Sequence, residues 1–146
     1  MLPFRVELQP GESPYRQVIF AATRAILAGE ITPGSPFPSI RELSQELMIN
    51  PTTAHKVVSE LTREGLLVVL PGIGTVVAPG RKSTALERRE LLAREVEQLV
   101  VEAKRLGVGR DDIVSAVLAR WEALFGHDGN ATHRSALARP ARAKGS

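Results

Sequence analysis

The side chains best suited to chemistry lie between Ser39 and Lys56: Ser39, Arg41, Asn50, Thr52, Thr53, His55 and Lys56. They donate and accept hydrogen bonds, and two of them are permanent cations. Their chemistry is the recognition of anions and base edges. An arginine fork matches guanine O6 and N7, and a lysine ammonium is a compact charge for phosphate. Short polar side chains at a helix start add to the free N–H groups there, which attract anions. Bond-making chemistry has no comparable set. Cys is absent, no glycine-rich phosphate loop is present, and no Ser is paired with a His by a recognisable motif. His55, His127 and His133 lack the spacing of metal ligands, and Asp111-Asp112 is better read as charge at a helix start. The expectation is a chain that is not an enzyme and holds no cofactor or metal.

Two helices with a tight turn must position the polar set. Ser39 caps the first, with Glu42 three residues later as the other half of a capping box. Leu43 and Leu47 form its buried stripe. Ile49 is an apolar plug in the turn. Asn50 caps the second helix, and Pro51 takes its first position, where a missing N–H costs nothing. Val57 and Leu61 face back toward Leu43 and Leu47, which exposes Thr52, Thr53, His55 and Lys56. An ordinary helical hairpin satisfies the same residues, and the flanks favour a reader. Arg63-Glu64-Gly65 ends the second helix, Leu66–Leu70 is a strand, Pro71-Gly72-Ile73-Gly74 a turn and Thr75–Ala78 a second strand. Two helices and a hairpin make a winged helix-turn-helix, with the second helix as reader.

The run ILAGEITPGSPFPSIRELSQEL, then NPTTAHKVVSELTREGLL, then PGIGTVV resembles the DNA-binding domain of GntR-type bacterial transcription regulators over about residues 13–78. Gly29, Pro33-Gly34, Pro38-Ser39, Arg41, Thr53, Leu61, Glu64-Gly65, Gly72 and Gly74 fall at that family's spacing. The resemblance implies that Arg41 reaches DNA, often a guanine, and that Thr52 and Thr53 touch phosphate or base edges. It implies too that Gly72, at the wing tip, enters the minor groove, although a tight hairpin needs glycine in any case. The chain departs from the family pattern at two slots: the one that is often Arg or Ser is Pro51, which has no donor, and the one that is often Arg is His55. Asn50 and His55 then carry readout that other members give to Arg, and Lys56 is the point charge for phosphate.

The rest of the chain supports this core. Phe4, Val6 and Leu8 alternate with polar residues and predict a short strand, which the resemblance adds to the edge of the wing sheet. Ser13-Pro14 starts a helix whose stripe is Tyr15, Val18, Ile19, Ala22, Ala25 and Ile26. After the wing, Leu92, Val96, Leu99, Ala103 and Leu106 form a seam on one long helix that Gly107 ends. Ile113, Val117, Trp121 and Leu124 lie on the apolar face of a last helix. Two helices this apolar cannot bury everything against each other, and a twofold partner is the economical cover. The short C-terminal part resembles the YtrA subfamily, which carries two helices in place of a large effector domain.

The fold expected is mainly α with a small β-sheet. Residues 1–80 are a winged helix-turn-helix, 81–126 a two-helix dimerisation region, and 127–146 a disordered tail. No apolar run is long enough for a membrane span and the N-terminus has no signal-peptide core, so a cytoplasmic protein is expected. Function points the same way: a homodimeric repressor on a palindromic operator, with the resemblance implying transporter operons and the chain's own gene as targets. No effector is identifiable. Charge argues mildly for a protein- or RNA-binding winged helix as the alternative. The chain is net +3, but residues 127–146 supply all of it, and residues 1–80 hold six basic and seven acidic side chains. A positive face must come from segregation, with Arg41, Lys56 and Arg63 on one side.

Overall fold

The computed structural model describes residues 1–126. The expected tail, with His127 and His133, lies outside the described residues. Two compact units form, one over Met1–Gln98 and one from Leu99 onward.

The first unit is built on α1 (Pro14–Leu27), α2 (Ile40–Leu47), α3 (Pro51–Arg63) and a hairpin of β1 (Leu67–Leu70) and β2 (Gly74–Val77). Each helix begins where the sequence has a cap. Ser13 Oγ accepts from Arg16 N–H, Ser39 Oγ from Glu42 N–H and Asn50 Oδ1 from Thr52 N–H. Pro14 and Pro51 open α1 and α3, where no N–H is needed. The capping box at Ser39 is only half formed. The Glu42 carboxylate accepts from the Ser39 hydroxyl at 3.4 Å, and no bond from the Ser39 backbone N–H completes it.

Three helices close on one core. Val18, Ala21, Ala22 and Ala25 of α1, Leu43 of α2, and Ala54, Val57 and Leu61 of α3 are buried with Leu67 and Val77 of the hairpin. Small residues on α1 let α3 lie close against it. Each fully buried Leu or Val contributes about 1.5–3 kcal/mol relative to exposure. The hairpin is antiparallel, with Leu67 opposite Val77 and Leu70 opposite Gly74.

Residues 4–8 do not form the expected strand. Phe4 is buried and Val6 and Leu8 half-buried, while Arg5, Glu7 and Gln9 are exposed, so the alternation reports a one-sided apolar contact and no ladder. Phe4 lies parallel to Phe37, ring centroids 5.9 Å apart. The sheet edge is taken by residues 34–37. Pro36 bridges Val76, Gly34 and Phe37 donate to the carbonyls of Val77 and Thr75, and Val77 donates back to Ser35.

The expected long helix has a defect in its middle. α4 (Ala85–Glu90) passes into a π-helical turn over Leu91–Glu95 and then into α5 (Val96–Arg105). The inserted residue rotates the downstream helix, so Leu92 does not continue the seam of Val96 and Leu99 at the 4-3 spacing of an uninterrupted helix. Thr84 and Glu87 form a complete capping box at the start of α4. The Glu87 carboxylate also takes Arg81 (2.6 Å), which with the Thr84 bonds holds its pKa down to about 2.

In the second unit, α5 turns at Gly107 into α6 (Arg110–Phe125), with Asp111 and Asp112 in its first turn. Ala103 is buried and Ile113 and Leu124 are half-buried. No helix among the described residues is long and apolar enough to cross a membrane.

Candidate nucleic-acid interface

α2 and α3 pack together and, with their N-caps Ser39 and Asn50, hold every sequence-predicted contact except Gly72. Between them, Met48 stands in the left-handed region, φ 52° and ψ 43°, and it alone among the described non-glycine residues has positive φ. Ser44 closes the turn on both sides. Its hydroxyl donates to Ile49 O at 2.8 Å, and its carbonyl accepts from Ile49 N–H at 3.2 Å. Ile49 is buried, so both of its backbone groups are satisfied inside the turn.

The turn fixes the start of α3. Asn50, Thr52, His55 and Lys56 are exposed and Thr53 is half-buried, while Ala54 and Val57 between them point into the core. The polar side chains therefore share one side of the first two turns, beside the positive end of the helix. Ser39 and Arg41 are exposed at the start of α2. Among the described residues neither Arg41 nor Lys56 forms an ion pair within the chain. His55 has the Ser59 hydroxyl at 3.5 Å from Nδ1, too long to hold the ring firmly.

Arg63 does not join this basic set. Its guanidinium grips Glu60 through Nε at 2.9 Å and reaches Glu64 at 3.0 Å. The Arg63 fork lowers the pKa of Glu60 and is itself raised by it. The expected segregation of charge thus keeps Arg41 and Lys56 and loses Arg63. The spacing Glu60-x-x-Arg63-Glu64 was a visible signal for that outcome.

The wing ends in a tight turn. Ile73 N–H donates to Leu70 O at 3.1 Å, with Pro71 at the second position and Gly72 at the third, φ 77°. This is the type II pattern, which needs glycine at the third position. Glycine at 72 is thus explained by the hairpin alone, whatever it touches.

Residues that sequence reasoning assigned to dimerisation stay largely uncovered. Leu92 (69%) and Val96 are exposed in the first unit. In the second, Leu99, Leu106, Val117 and Trp121 (66%) are exposed. A groove of about 520 Å³ runs between the helices of this unit, lined by Leu99, Ala103, Leu106, Ile113, Val117 and Trp121 among others. Among the described residues no three His, Cys, Asp or Glu side chains gather as metal ligands would.

Comparison with known proteins agrees with this geometry. Residues 14–77 match the family model of bacterial regulatory proteins, gntR family. The HTH-type transcriptional repressor YtrA of Bacillus subtilis is 34% identical over 106 residues, covering 70% of this chain and 82% of that protein. The histidine utilization repressor of Klebsiella aerogenes is 35% identical over 91 residues, 60% of this chain and 38% of its own length. Among solved structures, a transcriptional antiterminator from Listeria monocytogenes EGD-e superposes with a TM-score of 0.74 at 21% identity, covering 84% of this chain and 92% of that one. At that identity the likeness speaks for the fold.

Proposed function

The chain belongs to the GntR family of bacterial regulatory proteins, a family of DNA-binding transcription regulators, and from that premise we propose that it is a repressor acting as a homodimer on a palindromic operator. One observation carries the reading: Arg41 and Lys56, exposed and forming no ion pair among the described residues, accompany a capped helix start that displays Asn50, Thr52, Thr53 and His55 on one side. Each element has a separate task. Arg41 reads a guanine with its fork, the first turn of α3 meets base edges and phosphate through short side chains and free N–H groups, and Lys56 adds charge. Ser39 caps α2 and offers its hydroxyl to phosphate, and Gly72 brings the wing backbone close to the minor groove. Residues 1–80 form the reading domain and residues 81–126 the pairing region.

The dimer is inferred from the surface left uncovered. A winged domain of net charge −1, whose reading-side Arg41 and Lys56 are the cations left without an ion pair among the described residues of α2 and α3, gains little from phosphate. Two heads held together multiply their affinities through effective concentration. Leu99, Leu106, Val117 and Trp121 provide apolar surface to hold them, with Ala103, Ile113 and Leu124 beneath; Leu92 and Val96, exposed in the first unit, offer apolar area of their own. Repression is supported by the likeness to YtrA, a repressor by name, and its own gene and a transporter operon are the targets we propose. No small-molecule effector is assigned, and no membrane or cofactor enters the scheme.

A gel shift tests the proposal, with the chain's own upstream DNA against random fragments at two salt concentrations. Specific retention with a modest salt dependence, by a species that sediments as a dimer, is expected. Equal retention of all fragments would contradict it.

A further inference from the structure

The wing offers a reader of a different kind, one that rests on the proposed DNA-binding function and adds to it. From Leu66 to Gly80 no side chain ionises, so the hairpin has no cation for phosphate. At its tip, Gly72 and Gly74 have φ of 77° and 111°, and a β-carbon at either would meet nothing within 4 Å. The tip is therefore bare backbone with one large side chain standing between two glycines. That side chain, Ile73, is 74% exposed. Val69 on β1 is exposed as well. An apolar tip of this kind is stabilised when a partner takes it out of water.

The proposed DNA-binding reading supplies that partner. β1 begins four residues after α3 ends and packs against it. A 13-residue helix is about 20 Å long, longer than the major groove is wide, at about 12 Å. With the first turn of α3 in the major groove, as proposed above, the hairpin at its far end falls outside that groove, and the proposed approach of Gly72 to the minor groove brings Ile73 there with it. There an A·T pair shows only acceptors, whereas a G·C pair adds the guanine N2 amino group. An isoleucine pressed on that amine buries a donor with no acceptor, which is costly. Against A·T it covers acceptors of the kind G·C also shows but no amino donor, so the difference between the two pairs is the buried N2 group, and apolar side chains are used as minor-groove wedges elsewhere.

We propose that Ile73 is a specificity-determining residue, selecting A·T pairs beside each half-site by excluding the guanine amine. The discrimination is by penalty and needs no hydrogen bond from the wing.

The test uses the full chain and its Ile73→Ala, Ile73→Leu and Ile73→Asn variants. Duplexes enriched by the wild type from a randomised pool are remade with the flanking A·T pairs replaced by G·C or by inosine·C, which lacks the N2 amine. Wild type should lose about 5- to 30-fold on G·C and less than about twofold on inosine·C. Ile73→Leu should keep the difference, Ile73→Ala should erase it, and Ile73→Asn, whose amide oxygen accepts from the amine, should tolerate G·C. Because Ile73 is outside the core, all four chains should melt alike. Inosine·C as damaging as G·C, or an Ile73→Ala variant that discriminates like wild type, overturns the inference. Enriched half-sites with flanks of random sequence overturn it alone. A wild type that enriches nothing overturns the regulator reading and this inference with it.

Discussion

Replacing Trp121 by alanine should split the proposed dimer while leaving each chain folded. Trp121 is the single tryptophan of the chain and is 66% exposed on α6. A large aromatic carries about 250 Å² of surface, so a partner covering the exposed part removes about 160 Å² from water. At about 25 cal/mol per Å² this is about 4 kcal/mol per protomer, close to the ~3–5 kcal/mol that truncating a buried Trp costs. A twofold interface contains the residue twice, for an upper bound of about 8 kcal/mol. Even half of that weakens dimerisation by about 10³-fold. Within one chain Trp121 is mostly exposed, its ring edge-on to Phe125 with centroids 5.6 Å apart, so the monomer should keep its helices. Sedimentation equilibrium gives the association constant directly. Wild-type fluorescence gives a second readout: dilution should shift the emission to the red as Trp121 returns to water. A Trp121→Ala chain that dimerises as tightly as wild type, with emission independent of concentration in the wild type, would refute the assignment of this face.

Four further outcomes are expected. Arg41→Ala should weaken specific binding by about 1–3 kcal/mol and relax one base preference per half-site, measured by competition with single-base operator variants. Lys56→Ala should weaken binding to all sequences alike and lower the salt slope by about one per half-site in a titration of affinity against salt. Met48 is 91% exposed in a left-handed conformation, so Met48→Gly should raise stability by about 1 kcal/mol in urea unfolding. Glu87, held at about 2 against an ordinary 4.5, contributes stability that is present above pH 4.5 and lost as the pH falls through 2. In Glu87→Gln that part of the acid dependence of the melting temperature should disappear.

Much of the fold was legible because it is punctuated locally. Ser13-Pro14, Ser39 and Asn50-Pro51 each contain the atoms that start a helix, and Gly72 is demanded by its turn. The first strand failed for a physical reason. Alternation of Phe4, Val6 and Leu8 reports which side is buried, but a strand also needs a free edge. Residues 34–37, with the β2-bridging Pro36 among them, already occupied that of β2. The π-helical turn at Leu91–Glu95 contains no Pro or Gly to announce it. Arg63 looked like a cation for DNA because composition counts charges and ignores their partners, although Glu60 and Glu64 stood at pairing distance in sequence. For the interface, residue types indicated what could be recognised. The exposure of Ile73, and Ser44's double hold on Ile49, needed coordinates, since neither can be read from a pattern.

Genome-wide mapping of the DNA bound by the full chain tests the central claim most directly. The account predicts a few discrete sites sharing a two-fold symmetric sequence, with half-site centres about 34–36 Å apart or a multiple of that. Diffuse occupancy with no shared sequence, or discrete sites without twofold symmetry, would contradict a dimeric, sequence-specific regulator.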